Sequence, residues 1–139
     1  MPDKQKMYPL SENHSDELRA ANGFRIDELT MENILSDKVT MEDIQIAPET
    51  LNHQAEIAAA AKRHPLAVNF RRAAEMTRLP NELIMEIYEM LRPGRAVDRA
   101  SLDAIAQRLR KEFGAEKLAL FLEEAAEIYT RHGVFSKRF

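Results

Sequence analysis

From residue 48 onward the apolar positions recur at helical spacing, interrupted by proline and glycine at intervals that suit short helices. Pro48 stands where a first helical residue tolerates proline, and the spacing predicts a helix from there to about Arg63. That stretch holds Ala55, Ala58, Ala59, Ala60 and Ala61, whose small side chains favour helix and let a second helix approach closely. Pro65 marks a break, after which Leu66, Phe70, Ala73 and Ala74 resume the period. Pro80 reads as a first-turn proline before the stripe Leu83, Ile84, Ile87, Tyr88 and Leu91, and Pro93-Gly94 ends that helix. Asp98 is a good cap for the next, with Leu102, Ile105, Leu109 and Phe113 on one side and Gly114 as its stop. A last helix begins near Ala115 and carries Leu118, Phe121, Leu122, Ala125 and Tyr129 before Gly133. No segment alternates with period two, so no sheet is expected. The reading is all-α: a bundle-like helical body over residues 48–139 behind an irregular, extended N-terminal arm over residues 1–47, one domain overall.

The arm has a different pattern. Pro2, Pro9, Asn13, Ser15, Asn22 and Gly23 punctuate its first half, which predicts little regular structure. Two short helical turns follow, one capped by Thr30 and one by Thr40, each with acidic residues where the helix dipole favours them. Among these breakers stand Met7, Tyr8, Leu10, Leu18, Phe24, Ile26, Leu29, Met31, Ile34, Leu35, Val39, Met41, Ile44 and Ile46. No long amphipathic helix could bury them, and each large apolar side chain gains about 1.5–3 kcal/mol on burial. The arm therefore packs on its own helical body or wraps a partner.

Composition narrows the classes. The chain has 139 residues, 45% hydrophobic and 31% charged, which fits a single globular domain. It has no cysteine, so a disulfide framework, a thiolate metal site and a cysteine nucleophile are excluded. No apolar run approaches membrane-spanning length, and the charged first residues lead into no signal-peptide core, so a cytoplasmic protein with no membrane partner is expected. Residues 1–50 carry 5 Lys/Arg against 11 Asp/Glu, while the rest is mildly basic. No basic face is concentrated enough for nucleic acid.

Candidate chemistry is thin. His53 with Glu49 and Glu56 shares a helix face at metal-ligand spacing, but a second helix with the matching Glu-x-x-His is lacking, and a solvated face is the simpler reading. Glu123, Glu124 and Glu127 read as a solvated face with a Glu127–Arg131 pair. Arg71-Arg72 and the series Arg92, Arg95, Arg99 suit phosphate or an acidic partner surface, or are ordinary surface arginines. The four glycines are too dispersed for a phosphate loop, and the methionines read as core or interface filler. On these grounds no residue is assigned as catalytic, cofactor-binding or metal-binding.

Four blocks carry a resemblance: Tyr8-Pro9-Leu10, LTMENILSDKVT from Leu29, DIQIAPETLNHQAEIA from Asp43, and NFRRAAEMTRLPNELIMEIYEMLRPGR from Asn69. Together with FLEEAAEIYTR from Phe121 they resemble the small (gamma) subunit of adenosylcobalamin-dependent diol and glycerol dehydratases. The resemblance implies a hetero-oligomer of large, medium and small subunits, usually a dimer of heterotrimers. It implies dehydration of propanediol or glycerol to an aldehyde by radical chemistry. Adenosylcobalamin and potassium would sit in the other subunits, and this chain would be a non-catalytic part of a hydro-lyase. The arm would then lie on the large subunit, with Tyr8, Leu10, Phe24, Ile34, Leu35, Arg92 and Arg95 as interface candidates. Two features depart from the family. Gly94 follows Arg92-Pro93 where an aromatic residue is common, and the alanine/glycine-rich N-terminal extension associated with microcompartments is not seen. The competing reading is a free-standing helical adaptor or regulator of the same ancestry.

Overall fold

A computed structural model describes residues 3–20, 23–95 and 98–136; Pro2 and Asn22, among the punctuating residues of the arm, lie outside them. The described residues form seven α-helices: α1 (Leu10–Asn13), α2 (Met31–Leu35), α3 (Pro48–Ala60), α4 (His64–Met76), α5 (Asn81–Leu91), α6 (Arg99–Phe113) and α7 (Glu116–Arg131). Short 3-10 turns occur at Lys4–Met7, Ile26–Glu28 and Val134–Ser136. Among these residues there is no strand beyond two isolated bridges, Arg19 to Arg25 and Ala20 to Ile46, and the all-α expectation holds. Among the described residues no helix is long and apolar enough to cross a membrane. The chain divides into two compact units, Met1–Thr77 and Arg78–Phe139, so the arm shares its unit with α3 and α4.

In the first unit, α3 and α4 pack against each other through Ala55, Ala58 and Ala67, with Ala59 and Phe70 beside them. Methyl groups at the seam let two backbones approach closely. The Lys4–Met7 turn docks on α3: Lys4 Nζ pairs with Glu56 at 2.6 Å, and Gln5 Nε2 donates to the Ala60 carbonyl at 2.8 Å. α3 stops at Ala60, short of the Arg63 predicted. Lys62 adopts the left-handed conformation (φ 61°), turning its amide to the Ala59 carbonyl and that of Arg63 to the Ala58 carbonyl. This is a Schellman stop with lysine where glycine is usual.

In the second unit, α6 and α7 form a hairpin around Gly114, whose left-handed φ of 61° lets the Ala115 amide reach the Leu109 carbonyl. Asp98 caps α6 as expected, its Oδ1 accepting from the Ser101 amide at 2.8 Å and the Ser101 hydroxyl at 2.7 Å. The buried face is rotated slightly from the one predicted. Leu102, Leu109, Leu118 and Leu122 are buried together with Ala106, Ala119 and Ala126, while Ile105, Phe113, Phe121 and Ala125 flank the seam half-buried. Pro80 stands just before α5 as its N-cap rather than in its first turn. Tyr129 of α7 donates its hydroxyl to the Leu91 carbonyl at the end of α5, tying that helix to the hairpin.

Candidate docking surface

Beyond the Lys4–Glu56 and Gln5–Ala60 contacts and the Ala20–Ile46 bridge, short-range hydrogen bonds order much of the arm. Thr30 caps α2, its hydroxyl accepting from the Asn33 amide at 3.2 Å, while Asn33 Nδ2 donates to the Glu28 carbonyl at 2.7 Å. The Asn33 carbonyl then accepts from Lys38 and Val39, closing the loop after α2. At Thr40 the chain makes hydrogen-bonded turns rather than a helix: the Asp43 amide donates to the Thr40 carbonyl at 3.1 Å, while the Asp43 carboxylate accepts from the Thr40 amide (2.8 Å) and hydroxyl (3.0 Å). Upstream, the Arg25 amide donates to Glu28 Oε2 at 2.7 Å, and Ala20 to the Phe24 carbonyl at 2.9 Å.

Leu10, Leu18 and Val39 turn inward and anchor this framework. Most of the other large side chains face outward: Ile26, Met31, Ile34, Leu35, Met41, Ile44 and Ile46 are all exposed. Interleaved with them stand the exposed acids Asp27, Glu28, Glu32, Asp37 and Glu42. An apolar surface of this density within an acidic rim is unusual for a chain that works alone.

The structure distributes the interface candidates unevenly. Leu35 is 78% exposed and Tyr8 60%, Ile34 is exposed beside Leu35, and Phe24 is half-buried. Leu10, at 3%, is buried in its own unit and anchors the segment that bears Tyr8. In the second unit Arg92 and Arg95 share one carboxylate: Glu89 Oε1 lies 3.1 Å from Arg92 and Oε2 lies 3.9 Å from Arg95. The Arg92 guanidinium also sits 6.0 Å from the centroid of Tyr88, which is exposed together with Met85. Arg99 is held by Asp103 at 3.5 Å and Glu127 at 3.1 Å.

The carboxylates singled out for chemistry are engaged structurally. Glu56 is drawn below the ordinary carboxylate range chiefly by its hydrogen bond from Lys4. Glu123, expected on a solvated face, forms a bidentate pair with Arg110 across the hairpin, and Arg110 reaches Glu116 as well at 2.9 Å. That pairing lowers the Glu123 pKa and raises that of Arg110. The sign of this pair was accessible in principle, since a hairpin folded about Gly114 brings the end of α6 beside the start of α7. Glu127 and Arg131 do pair, at 3.5 Å. No cluster of three histidines or carboxylates suited to a metal occurs among the described residues.

A profile of the dehydratase small subunit matches residues 4–135. The chain is 47% identical over 122 residues to the propanediol dehydratase small subunit of Citrobacter freundii, covering 88% of this chain and 70% of that protein. It is 46% identical, with the same coverage, to the propanediol dehydratase small subunit of Salmonella typhimurium (strain LT2). The chain belongs to the dehydratase small-subunit family.

Proposed function

We propose that this dehydratase small subunit is a structural component of a heteromeric, adenosylcobalamin-dependent propanediol or glycerol dehydratase, in which it supplies surface rather than chemistry. One observation carries the reading: a member of this family holds its arm in a defined backbone path by local hydrogen bonds yet leaves Ile34, Leu35 and their apolar neighbours outward. Outward apolar groups on an ordered frame lose little conformational entropy on docking, so most of their burial energy goes to association.

In this reading the arm, residues 1–47, lies on the large subunit through Tyr8, Phe24, Ile34 and Leu35, with Leu10 as internal anchor. The Arg92–Arg95 turn contributes a second, polar contact. Arginine beside tyrosine and methionine is a composition common at interface centres. Under this reading potassium and the corrinoid belong to the large and medium subunits. The assembly is a dimer of heterotrimers in the cytoplasm, and it converts a 1,2-diol to an aldehyde and water.

Co-expression with the large and medium subunits tests this. Wild-type chain is expected in a stoichiometric complex by native mass spectrometry, with diol-to-aldehyde turnover that depends on adenosylcobalamin and on this chain. The double replacement of Ile34 and Leu35 by Asp should abolish capture, because it puts two charges where apolar contact is needed. A chain that stays monomeric beside both partners would return the adaptor reading, and unchanged capture of the double variant would remove the arm from the interface.

A further inference from the structure

In the first unit a groove of about 430 Å³ opens between the Lys4–Met7 turn, α3 and α4. Its lining includes Tyr8, Ile57, Leu66 and Phe70, together with three polar residues, Gln5, Gln54 and Arg63. Arg63 is the charged residue of this lining. Arg99, Arg108 and Arg110 each have a carboxylate partner, whereas no carboxylate among the described residues pairs with Arg63. The last carbonyls of α3 are already engaged. The carbonyls of Ile57, Ala58, Ala59 and Ala60 already accept, in turn, from the amides of Ala61, Arg63 and Lys62 and from Gln5 Nε2. Lys62, Arg63 and His64 are consecutive and exposed, a local basic edge in a unit that is otherwise acid-rich.

We infer that this groove seats a segment of a partner subunit that presents a large apolar side chain next to a carboxylate. The inference rests on the assembly reading above and deepens it. A wholly apolar occupant would strip water from the Arg63 guanidinium without replacing its hydrogen bonds, which is costly. A basic occupant would be repelled by the Lys62–His64 edge. An aspartate or glutamate satisfies the guanidinium in a charge-assisted, bidentate pair. Its apolar neighbour fills the space walled by Phe70, Leu66 and Ile57, and the Gln54 amide is free to bond the segment's backbone.

The test uses the complex with large and medium subunits. Tyr8 is replaced by the photo-reactive p-benzoylphenylalanine, and the cross-linked partner peptide is sequenced after irradiation. One partner locus is expected, with Asp or Glu adjacent to a large apolar residue. In parallel, Arg63→Glu should weaken capture by about tenfold or more, Arg63→Lys far less, and replacing the located carboxylate by Lys should restore capture of R63E. R63A, which removes charge without reversing it, should fall between and keep the wild-type circular dichroism. A complex that forms with wild-type affinity for R63E, or a photo-probe that links only to this chain or to a peptide without a carboxylate, overturns the groove assignment and leaves the assembly reading standing. Failure of the wild-type chain to join any complex overturns both.

Discussion

The three large side chains most completely withdrawn from water, Leu102, Leu109 and Leu122, all lie in the second unit, at the seam of the α6–α7 hairpin. In the first unit the helical seam is made of Ala55, Ala58 and Ala67, and the bulk apolar residues are elsewhere. Many of them are outside: among the described residues Tyr8, Ile26, Met31, Ile34, Leu35, Met41, Ile44, Ile46, Leu66 and Val68 are exposed, against Met85, Tyr88, Leu120 and Ile128 in the second unit. Both units are helical, and neither has a buried polar side-chain atom without a hydrogen-bond partner among the described residues. The difference is where the large hydrophobes go. The second unit gathers its most buried leucines at a helical seam, and the first, beyond anchors such as Leu10, Leu18, Val39 and Leu51, keeps many outward on a hydrogen-bonded frame.

The sharpest way to break that comparison is to truncate one leucine of each kind in the full chain. Leu109→Ala should cost about 2–5 kcal/mol in urea denaturation, because it opens a cavity at the seam. Leu35→Ala should change the same measurement by less than about 0.5 kcal/mol. Comparable losses from the two would show that the arm side chains already support the isolated chain.

A smaller effect, of opposite sign, is expected at the α3–α4 turn. Lys62 holds a left-handed backbone that costs a non-glycine residue roughly 1 kcal/mol, so Lys62→Gly should stabilise the first unit by up to about that amount. Unfolding followed by a probe confined to that unit, such as hydrogen exchange of the α3 amides, would register the gain. A loss there would mean that the lysine side chain contributes more than its backbone costs.

The smallest difference should come from Glu123→Gln in the second unit, and it should depend on pH. The Arg110 guanidinium holds the Glu123 carboxyl below its ordinary value of 4.5. The native state therefore binds this proton less readily than the unfolded chain does. The stabilisation is complete above the ordinary carboxylate range and is lost as pH falls through the lowered native value. Wild type should unfold at a higher temperature than E123Q at neutral pH, and the two should converge as the solution is made acid. A constant gap would assign the effect to packing.

The elements that local chemistry dictates were legible from residue types alone. Thr30 and Asp98 cap helices because a side-chain oxygen next to free amides has one good use, and Gly114 ends α6 because a left-handed turn favours a residue without Cβ. Lys62 gives no such signal, so α3 reads too long. The face of α7 was legible only to within a small rotation: Leu118 and Leu122 are buried as the stripe predicts, but Ala119 and Ala126 are buried where the stripe puts Phe121 and Ala125, and a hydrophobicity pattern ranks alanine low. In the arm, residue type does not separate Leu10, Leu18 and Val39, which are covered, from Leu35 and Met41, which are not. That division depends on which backbone bonds form at a distance, such as the Ala20–Ile46 bridge. The Arg63 groove was invisible for the same reason: it exists only where the Lys4–Met7 turn meets α3 and α4.

Met31 and Met41 are among the most open side chains of the arm. A thioether so placed reacts readily with peroxide, and the sulfoxide it becomes is polar and chiral where a flexible apolar group stood. Oxidation of an unassembled copy would therefore erase part of its adhesive character before it met a partner, until a reductase reversed the damage. If assembly covers the same methionines, as the docking proposal has it, solvent oxidants would no longer reach them. The ratio of sulfoxide to thioether at Met31 and Met41 in purified protein would thus record how long each copy had waited uncovered, a chemical clock read by peptide mass.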